Sequence, residues 1–74
     1  VTAHERIEMN PAIMGGKPVI RGTRVPVEMI LRKLGAGMTP EAIVADHPRL
    51  TLEDIRAAQS FAADYLADEA LVYG

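Results

Sequence analysis

Between Asn10 and Val27 the chain packs three glycines, three prolines and three cations into 18 residues, and a helical pattern begins at once. Gly15, Gly16 and Gly22 open backbone angles that a Cβ forbids, while Pro11, Pro18 and Pro26 fix φ and remove donors. So many fixed points leave few paths open. The segment predicts a defined run of turns and short extended pieces, not a loose leader. Ahead of it, Ile7 and Met9 alternate with Arg6 and Glu8, the period of a half-buried strand. Val19-Ile20 and Arg24-Val25 flank Arg21-Gly22-Thr23, which reads as a tight turn or narrow hairpin. Strands this short are unstable alone and must lean on helices or pair with a second chain.

Three helices are predicted downstream. The first runs from about Pro26 to Leu34, with proline at its first position, a stripe of Val27, Ile30, Leu31 and Leu34, and Gly35 and Gly37 as the stop. The second follows Thr39 as N-cap and Pro40 at N1, buries Ile43 and Val44, and ends before Pro48. The third starts at Thr51, with Asp54 three residues on as a short-armed capping box and Leu50 and Ile55 spaced as a hydrophobic staple. It continues to about Asp68 or Glu69. Its apolar residues form two stripes, Ile55-Ala58-Ala62-Leu66 and Ala57-Phe61-Tyr65. These are either one broad core face or a core face plus a partner face. The predicted fold class is mainly α: a three-helix helix-turn-helix bundle over 27–69, preceded by a β-hairpin or extended arm over 1–26 and followed by a tail over 70–74, all in one domain.

Seventy-four residues without cysteine cannot use disulfides or thiolate zinc to supplement a small core. With only Phe61, Tyr65 and Tyr73 as aromatics, that core must be aliphatic, and self-association is the expected remedy. No apolar run is long enough for a membrane span and no leader is visible, which predicts a soluble cytoplasmic protein. The net charge of −2 conceals an asymmetry: residues 1–37 carry six cations against three acids, and residues 38–74 carry two against seven. A general nucleic-acid binder shows a basic excess throughout. This chain offers a local basic surface only.

Catalytic and metal roles find little support. His4 and His47 stand far apart without a motif, and His47 fits an end-of-helix cation. The carboxylates of the third helix fit capping and a solvated face. Gly15-Gly16-Lys17-Pro18 lacks the Walker spacing and puts proline where Ser or Thr is needed. No catalytic residue, metal site or cofactor is therefore expected. For DNA, a recognition helix would present Arg49, Thr51, Arg56, Gln59 and Ser60, with Arg21 and Arg24 as an arm over the backbone. Glu53 and Asp54 on the leading turn oppose this, since phosphate neutralisation dominates affinity. The acidic second half and the apolar end Leu71-Val72-Tyr73 suit a protein partner instead.

The block GGKPVIRGTRVPV, preceded by Asn10-Pro11, resembles the signature of the bacterial family called domain of unknown function 433. Gly37-Met38-Thr39-Pro40-Glu41-Ala42-Ile43, His47-Pro48-Arg49-Leu50-Thr51 and the helix from Leu52 through Ala62-Ala63-Asp64-Tyr65-Leu66 extend the resemblance over residues 5–67. A tyrosine often stands in the family where His47 stands here. The resemblance implies a homeodomain-like helix-turn-helix with an extended N-terminal region, and a VapB-like antitoxin that neutralises a PIN-like ribonuclease and represses its own operator DNA as a homodimer. The family brings no catalytic residues. On this reading the dimer and partner interface would use Ile7, Met9, Val19 and Ile20 of the strands with Phe61 and Tyr65 of the third helix. An interaction module without DNA binding, or a stand-alone helix-turn-helix regulator, are the alternatives.

Overall fold

A computed structural model describes residues 5–69; His4 and the tail over 70–74 lie outside them. Two strands, β1 (Ile7–Glu8) and β2 (Val19–Ile20), pair antiparallel with Ile7 opposite Ile20 and Glu8 opposite Val19. Three helices follow: α1 (Val27–Gly35), α2 (Pro40–Asp46) and α3 (Leu52–Glu69). The chain is mainly helical, with three helices and a short antiparallel pair near the N-terminus, as its sequence predicts.

The proline- and glycine-rich segment follows one tightly bonded path. Met14–Gly16 form a single 3-10 turn, in which Met14, Gly15 and Gly16 all have positive φ. After β2 the chain reverses at Gly22 (φ 82°), where the Thr23 N–H and hydroxyl both donate to the Ile20 carbonyl, at 3.0 and 2.7 Å. The returning segment bridges back to β2 at Val19 and Pro26, and the Val27 N–H donates to the Pro18 carbonyl at 2.9 Å. Pro26 is therefore held extended (φ −70°, ψ 143°) as the N-cap of α1, so the helix starts at Val27, one position after the expected Pro26. Its missing N–H costs nothing on this outer edge.

Helix ends obey local chemistry. The Lys33 carbonyl accepts from Met38 and the Leu34 carbonyl from Gly37, both at 3.0 Å, with Gly37 at φ 100°; this is a Schellman stop. Thr39 caps α2 by accepting the Ala42 N–H, and Pro40 stands at the helix start. Leu50 before α3 and Ile55 inside it are both buried in one cluster, as the staple spacing requires.

Every element feeds a single core: Ile7 from β1, Ile20 from β2, Val27 and Ile30 from α1, Ile43 from α2, Leu50 from the turn, and Ile55, Ala57 and Ala58 from α3. Ile30, Ile43 and Ala58 are fully buried. The short strands are thus stabilised by packing on the helices and by each other. Among the described residues no helix is long and apolar enough to cross a membrane.

The two apolar stripes of α3 behave as one broad face that changes partner along the helix rather than around it. In the first half Ile55, Ala57 and Ala58 are buried. One and two turns later Phe61 and Ala62 are half-buried, and Tyr65 and Leu66 are each 58% exposed. The stripe keeps its direction, but among the described residues the core no longer closes over it.

Candidate macromolecule-binding surfaces

The start of α3 is organised by Asp54, whose side chain is only 8% exposed. Its Oδ2 accepts the Thr51 N–H at 3.0 Å while the Thr51 hydroxyl oxygen accepts the Asp54 N–H at 3.2 Å, closing the capping box. Its Oδ1 accepts from Arg6 Nη1 at 3.0 Å. The capping role expected of Asp54 is therefore met: the carboxylate is turned inward and neutralised by a cation from the strand end, 48 residues away, so it does not face outward as it would on a DNA-reading helix. Glu53 does remain exposed on the leading turn.

The seven DNA candidates separate into four groups. Arg21 is drawn to β1, donating from Nε to the Glu5 carbonyl at 2.6 Å and from Nη2 to the Ile7 carbonyl at 3.2 Å. It braces the sheet with these two donors. Arg24 and Arg49 meet at the hairpin tip, lining with Glu8 and Thr23 a shallow cleft of about 300 Å³. Arg49 is steadied there by donating Nη2 to the Gly22 carbonyl at 3.2 Å, while Arg24 makes no hydrogen bond or ion pair among the described residues. Thr51 is committed to the cap. Arg56, Gln59 and Ser60 are exposed on the outer side of α3, away from Ala58 and Ile55, at spacings that share a helix face.

The six interface candidates also divide. Ile7, Val19 and Ile20 are 6%, 0% and 2% exposed, so their side chains belong to the chain's own core and cannot form a partner face. This corrects the expected strand-mediated interface: the strands spend their apolar side chains on the helices because three helices this short cannot close a core without them. Met9 (61% exposed), Phe61 and Tyr65 come together instead. With Leu31, Val27 and Leu66 they line an open apolar groove of about 390 Å³ between α1 and the second half of α3. The Phe61 and Tyr65 rings stack along it, centroids 6.2 Å apart and planes at 21°.

One rim of this groove is ionic. Lys17 Nζ lies 3.2 Å from Glu28 Oε1, and Arg32 Nε lies 3.5 Å from Glu28 Oε2. The hydrogen bond and charge of Lys17, reinforced by Arg32, hold the Glu28 carboxyl below its ordinary value of 4.5. Sequence reading missed Lys17–Glu28 because it joins a turn to a helix across 11 residues. Among the described residues no three His, Cys, Asp or Glu side chains are grouped to hold a metal ion.

A short antiparallel strand pair set on three helices, with α2, the turn over 47–51 and α3 as its helix-turn-helix element, defines the class. The chain belongs to the family described as protein of unknown function (DUF433), whose profile matches residues 7–62. It is 40% identical over 73 residues to the uncharacterized protein y4eO of Sinorhizobium fredii (strain NBRC 101917 / NGR234), covering 97% of this chain and 33% of that protein. It is also similar to the crystal structure of a DUF433 member from Anabaena variabilis ATCC 29413, with a TM-score of 0.76 at 32% identity, covering 80% of this chain and 58% of the other. The chain thus spans about a third of the curated relative's length.

Proposed function

We propose that this domain serves as the antitoxin of a type II toxin–antitoxin pair, binding and silencing a PIN-like ribonuclease in the cytoplasm and, as a dimer, repressing its own operator. The nuclease comes from the family resemblance. What supports a two-partner role in the molecule itself is a single observation: α3 carries two exposed surfaces of opposite chemistry. Arg56, Gln59 and Ser60 are exposed on its outer side, and Phe61, Tyr65 and Leu66 line the apolar groove. An antitoxin that represses its operator as a dimer needs one surface for nucleic acid and another for protein.

The outer face suits the major groove. Arg56 can pair bidentately with guanine and Gln59 with adenine, while Arg24 and Arg49 at the hairpin tip can grip phosphates. Burial of Asp54 removes one of the two acids that would repel the backbone, and Glu53 can accept from cytosine N4. The acidic second half of the chain, by contrast, favours the reading in which the domain contacts protein and no DNA.

Co-expression with the ribonuclease encoded beside it tests the proposal. The expected result is relief of growth arrest and a nuclease complex that co-purifies without nucleic acid. Unrelieved toxicity and separate elution would defeat it.

A further inference from the structure

We infer that the groove between α1 and the second half of α3 is filled by the same half-helix of a second copy of this chain, giving a two-fold dimer. This rests on the dimer in the reading above and assigns it a face, leaving the nuclease to other surfaces. It requires neither DNA nor nuclease to form.

Helix α3 outruns the core. Among the described residues its last buried one is Ala58 and Phe61 still packs against the core, yet the helix continues to Glu69. The eight residues after Phe61 carry it about 12 Å further. Over that length the apolar stripe persists as the exposed Tyr65 and Leu66, which line the groove together with Phe61. A projection and a recess on one helix are satisfied together by a two-fold contact, in which each copy supplies what the other lacks.

Charge selects the occupant. The α1 rim carries Lys17 and Arg32 around the single acid Glu28, a net +1. Residues 59–69 of α3 include Asp64, Asp68 and Glu69 and no cation, a net −3. The last turn of α3 holds no basic residue at the negative end of its dipole. A two-fold arrangement lays each acidic half-helix on the other copy's cationic rim, so the apolar and ionic patterns both match. A foreign helix would have to reproduce that same combination.

Sedimentation equilibrium of the 74-residue chain alone tests this. A mass of roughly 16 kDa, twice the 8.0 kDa of one chain, is expected at tens of micromolar. Combining Tyr65→Ser with Leu66→Asp should raise the dimer dissociation constant by about 30-fold or more. Because both residues are exposed, circular dichroism and thermal unfolding of the variant at low concentration should stay those of the wild type. Arg32→Glu should weaken the dimer by about 5-fold, and added salt should weaken it further. A wild-type mass of 8.0 kDa up to roughly 200 µM would overturn the inference, as would a dimer indifferent to the double substitution. Nuclease binding by such a monomer would leave the antitoxin reading standing while removing this one.

Discussion

Arg6 reaches from the edge of β1 to the carboxylate of Asp54 at 3.0 Å, so the residue that caps α3 also ties the N-terminal strand to it. One buried acid thereby fixes both the start of the longest helix and the position of the sheet. Removing Asp54 breaks both, whereas removing Arg6 breaks only one.

Asp54→Ala is accordingly expected to cost about 2–3 kcal/mol, the cap plus an orphaned donor. Arg6 is half-exposed, so Arg6→Ala should cost less, about 1 kcal/mol, because water screens and partly replaces it. Urea unfolding of both single variants and the double variant measures this. The double variant should be less destabilised than the sum, and strict additivity would contradict a shared contact.

Gly22 turns the hairpin at φ 82°, yet a Cβ there would meet nothing within 4 Å. Gly22→Ala should therefore destabilise through backbone strain alone, by about 1–2 kcal/mol. Gly22→Asn should lose less, since asparagine tolerates this region. Equal losses in denaturant unfolding would point to a side-chain clash instead.

The Glu28 carboxyl is held below 4.5 in the folded chain by Lys17 and then Arg32. A depressed folded value gives a stabilising contribution that is complete above the ordinary value and fades as pH falls through the folded one. Glu28→Gln should therefore be less stable than wild type near neutrality, with the difference vanishing in acid. The group is exposed, so the effect should be small and shrink with salt. A pH-independent difference in thermal unfolding would contradict the assignment.

These contacts mark what a sequence can and cannot disclose. The Thr39 and Thr51 caps, the Schellman stop and the Gly22 turn are legible because each is settled within a few residues. The start of α1 is shifted by one because Pro26 answers to a distant partner, Val19, as well as to the helix. Arg6–Asp54 and Lys17–Glu28 join segments whose meeting depends on the finished fold. The α3 stripes pose a subtler problem. Periodicity gives the direction of an apolar face but not how far the core extends beneath it, so Ala57 and Tyr65 look equivalent in sequence and differ entirely in burial. Likewise, alternation at Ile7 and Met9 predicts one inward face, but β1 ends after Glu8 and Met9 turns to the groove.

The outer face of α3 carries the operator prediction. Arg56→Ala and Arg24→Ala should each weaken operator binding. Removing a cation that grips a phosphate should flatten the slope of log affinity against log salt by about 0.9. Half-sites should lie about 34 Å apart or at multiples of that distance. Arg21→Ala should instead act mainly on stability, because its guanidinium braces β1. Fluorescence anisotropy across a salt series separates these effects: unchanged affinity in Arg56→Ala would remove the α3 face as the reader, and an unchanged slope in Arg24→Ala would remove the hairpin tip as the phosphate grip.

The most direct measurement is RNA cleavage by the PIN-like ribonuclease proposed as the partner, titrated with this protein. Cleavage should fall in proportion to added protein and stop at a fixed stoichiometry. Full cleavage in the presence of a large excess would contradict it.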